Sequence, residues 1–201
     1  YYLRGFQQWL IDIIKDSAFA RRLIEFAMKP QMEITKVMIE QGADAVWITG
    51  DMGTPEGPFI SPRHYRELIW PWHRRLVDAY HKKGVFVFIH IHGNINSFFE
   101  DLVKAGFDAI NPLDPMEHMD LAYIKKKYGD KITLFSVLVS PMEKESTSCK
   151  GLIRLIKNRL KTVAHGGGFI YHGGIGNMSD SEALCYLRTW EKIRRYPTRR
   201  V

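Results

Sequence analysis

Cysteine is scarce in this chain: Cys149 and Cys185 are the two present among 201 residues. They stand far apart, form no CxxC pair and have no neighbouring base in sequence. The pattern argues against a disulfide framework, makes a reducing cytosol the expected compartment, and leaves both as structural residues. Long apolar runs are also missing. No stretch approaches the roughly 18 residues that a membrane span needs, so no membrane partner is expected. The start, Tyr1-Tyr2-Leu3-Arg4, lacks the basic-then-apolar order of a secretory signal and lacks an initiating Met, so upstream residues are expected. No aromatic–basic RNA motif and no DNA-recognition helix is present, and nucleic acid is not an expected partner despite a net charge of +7. Part of that charge is local. Residues 191–201 form a basic tail, and Lys82-Lys83 and Lys125-Lys126-Lys127 read as solvated helix ends. What remains suits an acidic small molecule drawn by a positive field.

What is present is enough apolar side chain, 45% of the total, for one globular domain over 1–201 with its own core. Residues 1–42 read as helices. Phe6, Trp9, Leu10, Ile13 and Ile14 recur at helical spacing over 5–15, and a second helix runs from Ser17 to a stop at Gly42, with Pro30 placed to kink or split it. A cycle then occupies 43–190. Strands are expected at 43–49, 85–92, 108–111, 132–139 and 169–171, and helices at 64–82, 96–105, 119–127, 152–164 and 179–190. Long Pro/Gly-rich loops follow the strands and short Gly turns precede them. This alternation implies right-handed βαβ units and a parallel α/β sheet. The loop asymmetry suits a (β/α)8 barrel of the TIM type with an elaborated C-terminal face, although five strands are counted where a closed barrel has eight.

The sharpest signal is Val85-Phe86-Val87-Phe88-Ile89-His90-Ile91-His92-Gly93-Asn94. Side chains alternate along a strand, so Phe86, Phe88, His90 and His92 share one face and the four Val and Ile residues share the other. Both faces are largely apolar, as in a strand covered on both sides. The imidazoles fall at the strand's C-terminal end, where α/β folds place their chemistry. Two same-face histidines can ligate one metal, or can bond each other, a carboxylate or a substrate.

Asp51, after the first strand, is placed to act as acid or base, to orient a histidine, or to cap its own loop. Ser61 and Pro62 open a helix as N-cap and first residue, which puts Tyr65 and Arg66 within its first turns. Asn111 and Asp114 lie at another strand end. His172-Gly173-Gly174-Ile175-Gly176-Asn177 follows the last strand; a Gly-rich turn before a helix can cradle an anion, although this one is not GxGxxG. Ser179 and Glu182 have the spacing of a capping box.

These blocks, in order and spacing, resemble the uroporphyrinogen decarboxylase superfamily. The matching residues are Gly42-Ala43-Asp44 with Gly50-Asp51-Met52-Gly53; Ile60-Ser61-Pro62-Arg63-His64-Tyr65; 84–94; Gly106-Phe107-Asp108-Ala109-Ile110-Asn111-Pro112; Met119-Asp120-Leu121; and Gly166-Gly167-Gly168-Phe169-Ile170. The resemblance implies a TIM barrel and makes the five strands its fourth to eighth. The superfamily includes uroporphyrinogen decarboxylases of porphyrin biosynthesis. It also includes zinc-dependent methyltransferases that move methyl groups between corrinoid proteins and thiols such as coenzyme M. In the methyltransferases the strand resembling 85–94 reads His-x-Cys-Gly-Asn, and its His and Cys bind zinc with a later Cys. Here His90 matches the first ligand and His92 stands in the Cys position. The later Cys falls near Gly173 and Gly174, where His172 is the nearby donor. The expected site is therefore His90, His92 and Asp51 as catalytic residues, His90, His92 and His172 as ligands of Zn2+, and Tyr65, Asn111, Asp114, Gly173 and Gly174 around the substrate. The implied partners are a corrinoid protein or a tetrapyrrole or thiol substrate. Methyl transfer is the favoured reaction, with tetrapyrrole decarboxylation, or a ligand-binding barrel without turnover, as alternatives. A homo-oligomer is also compatible.

Overall fold

A computed structural model describes residues 2–139, 148–171 and 179–193. The chain opens with α1 (Phe6–Lys15) and α2 (Ser17–Glu40). Asp16 caps α2, its carboxylate accepting from the Phe19 amide at 2.9 Å. Pro30 sits inside α2 without dividing it. Ile13, Ala20 and Ile24 from this pair pack with Leu68 in a small core of their own.

The main body is a five-stranded parallel sheet, ordered β1 (Ala45–Thr49), β4 (Phe86–His90), β5 (Ala109–Asn111), β6 (Thr133–Ser136), β7 (Phe169–Tyr171). Between β1 and the next helix a two-stranded ribbon, β2 (Gly53–Thr54) with β3 (Gly57–Pro58), folds antiparallel. A helix follows every strand of the large sheet. The first is α3 (Pro62–His64), which passes through a π-helical turn (Tyr65–Ile69) into α4 (Trp70–His81). Then come α5 (Phe99–Ala105), α6 (Leu121–Tyr128), α7 (Cys149–Val163) and α8 (Asp180–Ile193). The five βα units expected from the sequence are the five observed, and the architecture is α/β of the TIM-barrel type. The ends are set by the residues anticipated. Ser61 accepts from the His64 amide at 3.2 Å, and the Ser179 amide donates to Glu182 at 2.9 Å, one half of a capping box. Gly166, Gly167 and Gly168 all take positive φ, between 65° and 84°, in the turn before β7.

The two faces of the sheet differ. Val85, Val87, Ile89 and Ile91 of β4 and its flanks are buried against Leu76, Val77, Phe98, Leu102 and Phe107 in the main core, which continues through Ile124, Leu134, Leu152 and Ile156. The opposite face carries Trp47, Phe86, Phe88, Phe135 and Ile170. Within these residues Phe86 is 60% exposed and Trp47 44% exposed.

A correction concerns the cysteines. Cys149, at the start of α7, and Cys185, in α8, are joined in a disulfide with Cα atoms 6.2 Å apart. Sequence separation concealed the pair because the two helices pack side by side in space. No helix of the described residues is long and apolar enough to cross a membrane.

Candidate functional site

The parallel register brings the strand ends together. Thr49 pairs with His90 and His90 with Asn111, so the ends of β1, β4 and β5 form one rim. The loop after β1 lies across the end of β4: the Gly50 amide donates to the His90 carbonyl at 3.0 Å, and the Met52 amide to the His92 carbonyl at 3.3 Å. The Asn94 amide donates to the Thr54 carbonyl at 2.8 Å, tying the ribbon to the turn after β4. Glycine is required where the two loops cross. Gly93 has φ of 106°, and a Cβ there would lie 2.4 Å from the backbone of Gly53.

At this rim the two histidines stand side by side, ring centroids 5.0 Å apart and nearly perpendicular. Each is held through Nδ1. His90 Nδ1 donates to Asn111 Oδ1 at 2.8 Å. The Asn111 amide is itself oriented, since its Nδ2 donates to the Phe135 carbonyl at 3.2 Å; Oδ1 must therefore face His90, and His90 must supply the hydrogen. His92 Nδ1 donates to Glu117 Oε1 at 2.8 Å. Neither Nε2 has a hydrogen-bond partner among the described residues. Beneath His90 lies an aromatic floor, with Trp47 6.2 Å from His90 and 5.2 Å from Phe135 between centroids.

Glu117 was not foreseen from the sequence. It lies 25 residues from His92, at the end of a 3-10 turn (Pro115–Glu117) that Asp114 caps by accepting from the Met116 amide at 2.9 Å. His118 follows in the left-handed region, φ 58°, a conformation that costs a non-glycine residue roughly 1 kcal/mol or more. Asn96 Nδ2 donates to the His118 carbonyl at 3.0 Å and to Asn94 Oδ1 at 2.9 Å. The turn after β4 thus pins the turn after β5 and holds Glu117 against His92. The second oxygen of Glu117, Oε2, is buried and has no hydrogen-bond partner among the described residues. One signal was available: a carboxylate just past a strand-end Asn, on the strand next to the histidines.

The other expected residues fall as follows. Asp51 meets His92 through the backbone, accepting from its amide at 3.3 Å, and makes no hydrogen bond to either ring among the described residues. Asn111 is at the site, buried beside His90. The Asp114 carboxylate is spent on its turn. Tyr65 is a correction. It is 0% exposed, its hydroxyl is 3.0 Å from His73 Nδ1, and its ring stacks on Phe98 at 4.5 Å. It lies in the core, where burial raises its pKa above the ordinary tyrosine value. His172, Gly173 and Gly174 lie outside the described residues. Among those described, no group of three or more His, Cys, Asp and Glu side chains is arranged to hold a metal ion. Two imidazoles with anchored Nδ1 and unused Nε2 do match what a zinc site asks of its histidines. A separate cleft of about 470 Å3, lined by Phe86, Phe88, Ile132, Gly168 and Ile170, opens at the opposite, N-terminal end of the strands.

The family model for uroporphyrinogen decarboxylase (URO-D) matches residues 1–179. The chain belongs to the uroporphyrinogen decarboxylase family. Within it, the chain is similar to the methylcobamide:CoM methyltransferases MtbA of Methanosarcina acetivorans and Methanosarcina mazei, 24% identical to each over 103 residues, which are 51% of this chain and 30% of each relative. A solved methyltransferase from Methanosarcina mazei superimposes with a TM-score of 0.69 at 20% identity, over 94% of this chain and 54% of that one. That likeness is one of fold. The chain matches less than a third of the length of the MtbA relatives and about half of the solved methyltransferase.

Proposed function

We propose that this chain carries the strand-end site of a methyltransferase-like member of the family, one that moves a methyl group between a corrinoid protein and a small thiol. The observation that carries the reading is the pair of imidazoles at the end of β4, each anchored through Nδ1, with no hydrogen-bond partner for Nε2 among the described residues. The similarity to two relatives named for methylcobamide and CoM supports it. His90 and His92 would hold Zn2+ through Nε2, with His172 as the further nitrogen donor. Zinc held there would lower the pKa of a bound thiol, making thiolate available as the nucleophile at neutral pH. The chain's own residues do the rest. Asn111 and Glu117 hold the imidazoles in one orientation. Asp51 fixes the backbone at His92. Trp47, Phe88 and Phe135 form an aromatic cluster on the same face of the sheet, an apolar surface against which a macrocyclic methyl carrier can pack.

The test is metal analysis of the purified protein together with thiol-dependent demethylation of methylcobalamin, followed by its absorbance. Stoichiometric zinc and thiol-dependent turnover, both lost in His90→Ala and His92→Ala, are expected. Wild-type protein without zinc that decarboxylates uroporphyrinogen would replace this reading with the decarboxylase one.

A further inference from the structure

We infer that Glu117 is a positioning residue that fixes the tautomer of His92, so that both strand-end imidazoles present an Nε2 lone pair together. The inference rests on the reading of this rim as the functional site, but its geometry stands apart from any metal.

A neutral imidazole has one N–H and one lone pair, and which nitrogen holds which is set by its partners. A carboxylate oxygen can only accept, so Glu117 Oε1 at 2.8 Å demands a hydrogen on His92 Nδ1. For His90 the same result comes by a different route, because Asn111 is oriented by the Phe135 carbonyl and turns its own oxygen toward the ring. Two unlike partners from β5 and the turn after it therefore impose one tautomer on two neighbouring rings. The rest of Glu117's surroundings are built to hold it there: an Asp-capped 3-10 turn, a left-handed His118, and the Asn94–Asn96 bridge to the turn after β4. The Glu117 side chain is mostly buried, and its Oε2 has no hydrogen-bond partner among the described residues, an arrangement that costs stability. The turn itself is closed by the Asp114 cap and the Asn96 bridge, so the Glu117 carboxylate is free of that task and its polar contact is the His92 ring.

The experiment is long-range 1H–15N correlation of the histidine ring nitrogens in the purified chain, at a pH near 8.5 where imidazoles are neutral, with zinc titration as a second readout. Wild-type protein should show His90 and His92 both as Nδ1–H tautomers. Glu117→Ala should leave His90 unchanged and turn His92 into a mixture. Glu117→Gln, whose Oε1 can still accept, should keep His92 in the wild-type form. Asn111→Ala should move His90 and spare His92. Zinc affinity should fall about 10–100-fold in Glu117→Ala and less in Glu117→Gln. An Nε2–H tautomer for His92 in the wild-type protein, or unchanged His92 signals in folded Glu117→Ala, overturns the inference. If Glu117→Ala does not fold, the wild-type and Glu117→Gln spectra still decide it. If wild-type protein binds no zinc while the tautomers respond as stated, the zinc reading falls and the positioning role stands.

Discussion

The two faces of β4 are made of one strand and do opposite things. Val85, Val87, Ile89 and Ile91 are buried under the helices, with Val87 and Ile91 at 0% exposure. One residue out of step, Phe86 is 60% exposed, and His90 and His92 are half-buried. Burial of an apolar side chain is worth about 1.5–3 kcal/mol, so the first face anchors the strand. That leaves the second face free to hold groups that contribute little to stability. The alternation separates the packed face from the face that carries the two imidazoles within a single strand.

The strongest way to break this comparison is at the histidines. His90→Ala and His92→Ala should each lower thiol-dependent demethylation at least about 100-fold, while denaturant midpoints stay close to wild type. A large loss of stability would mean that this face also holds the fold. The mirror change, Ile89→Ala, should cost about 2–5 kcal/mol in urea unfolding and leave zinc content per folded chain unchanged. Reduction of the Cys149–Cys185 disulfide, which spans 36 residues, should cost roughly 2–4 kcal/mol and leave the histidine ring signals in place.

A pH test reaches the helices covering the anchored face. His73 of α4 is buried against Phe107 and beside Tyr65, and burial pushes its pKa down to about 4. The folded state then binds fewer protons than the unfolded state between that value and the ordinary 6.5. Its contribution is complete above about pH 6.5 and is lost as pH falls toward 4, with a total on the order of 3 kcal/mol. Urea unfolding at several pH values should show that slope, and His73→Phe should flatten it. The smallest effect belongs to the open face again: Phe86→Ser should change stability by about half a kcal/mol or less.

Much of this was legible in the sequence because it rests on local periodicity. The five strands, the helices between them and the Ser61 cap follow from apolar spacing and end signals within a few residues. The histidines stood out because a period of two puts them on one face at a strand end. Asn111 was found for the same reason. Glu117 was not, because its link to His92 passes through the sheet register and a 3-10 turn, neither of which leaves a short-range pattern. Tyr65 was misplaced because the partners that bury it, His73 and Phe98, lie on other elements of the fold and leave no short-range pattern. The disulfide was missed because helix packing between consecutive units, not chain proximity, joins Cys149 to Cys185.

The crossing of Gly93 over Gly53 limits how this rim can vary. Neither residue has a side chain that a partner could accommodate by shrinking, and a Cβ on Gly93 meets backbone at 2.4 Å. Paired substitutions cannot relieve the clash, as they can in an apolar core. The loop after β1 and the turn after β4 must therefore change shape together or stay as they are, and new specificity at this site has more room to arise in the turn after β5, where side chains rather than bare backbone make the contacts.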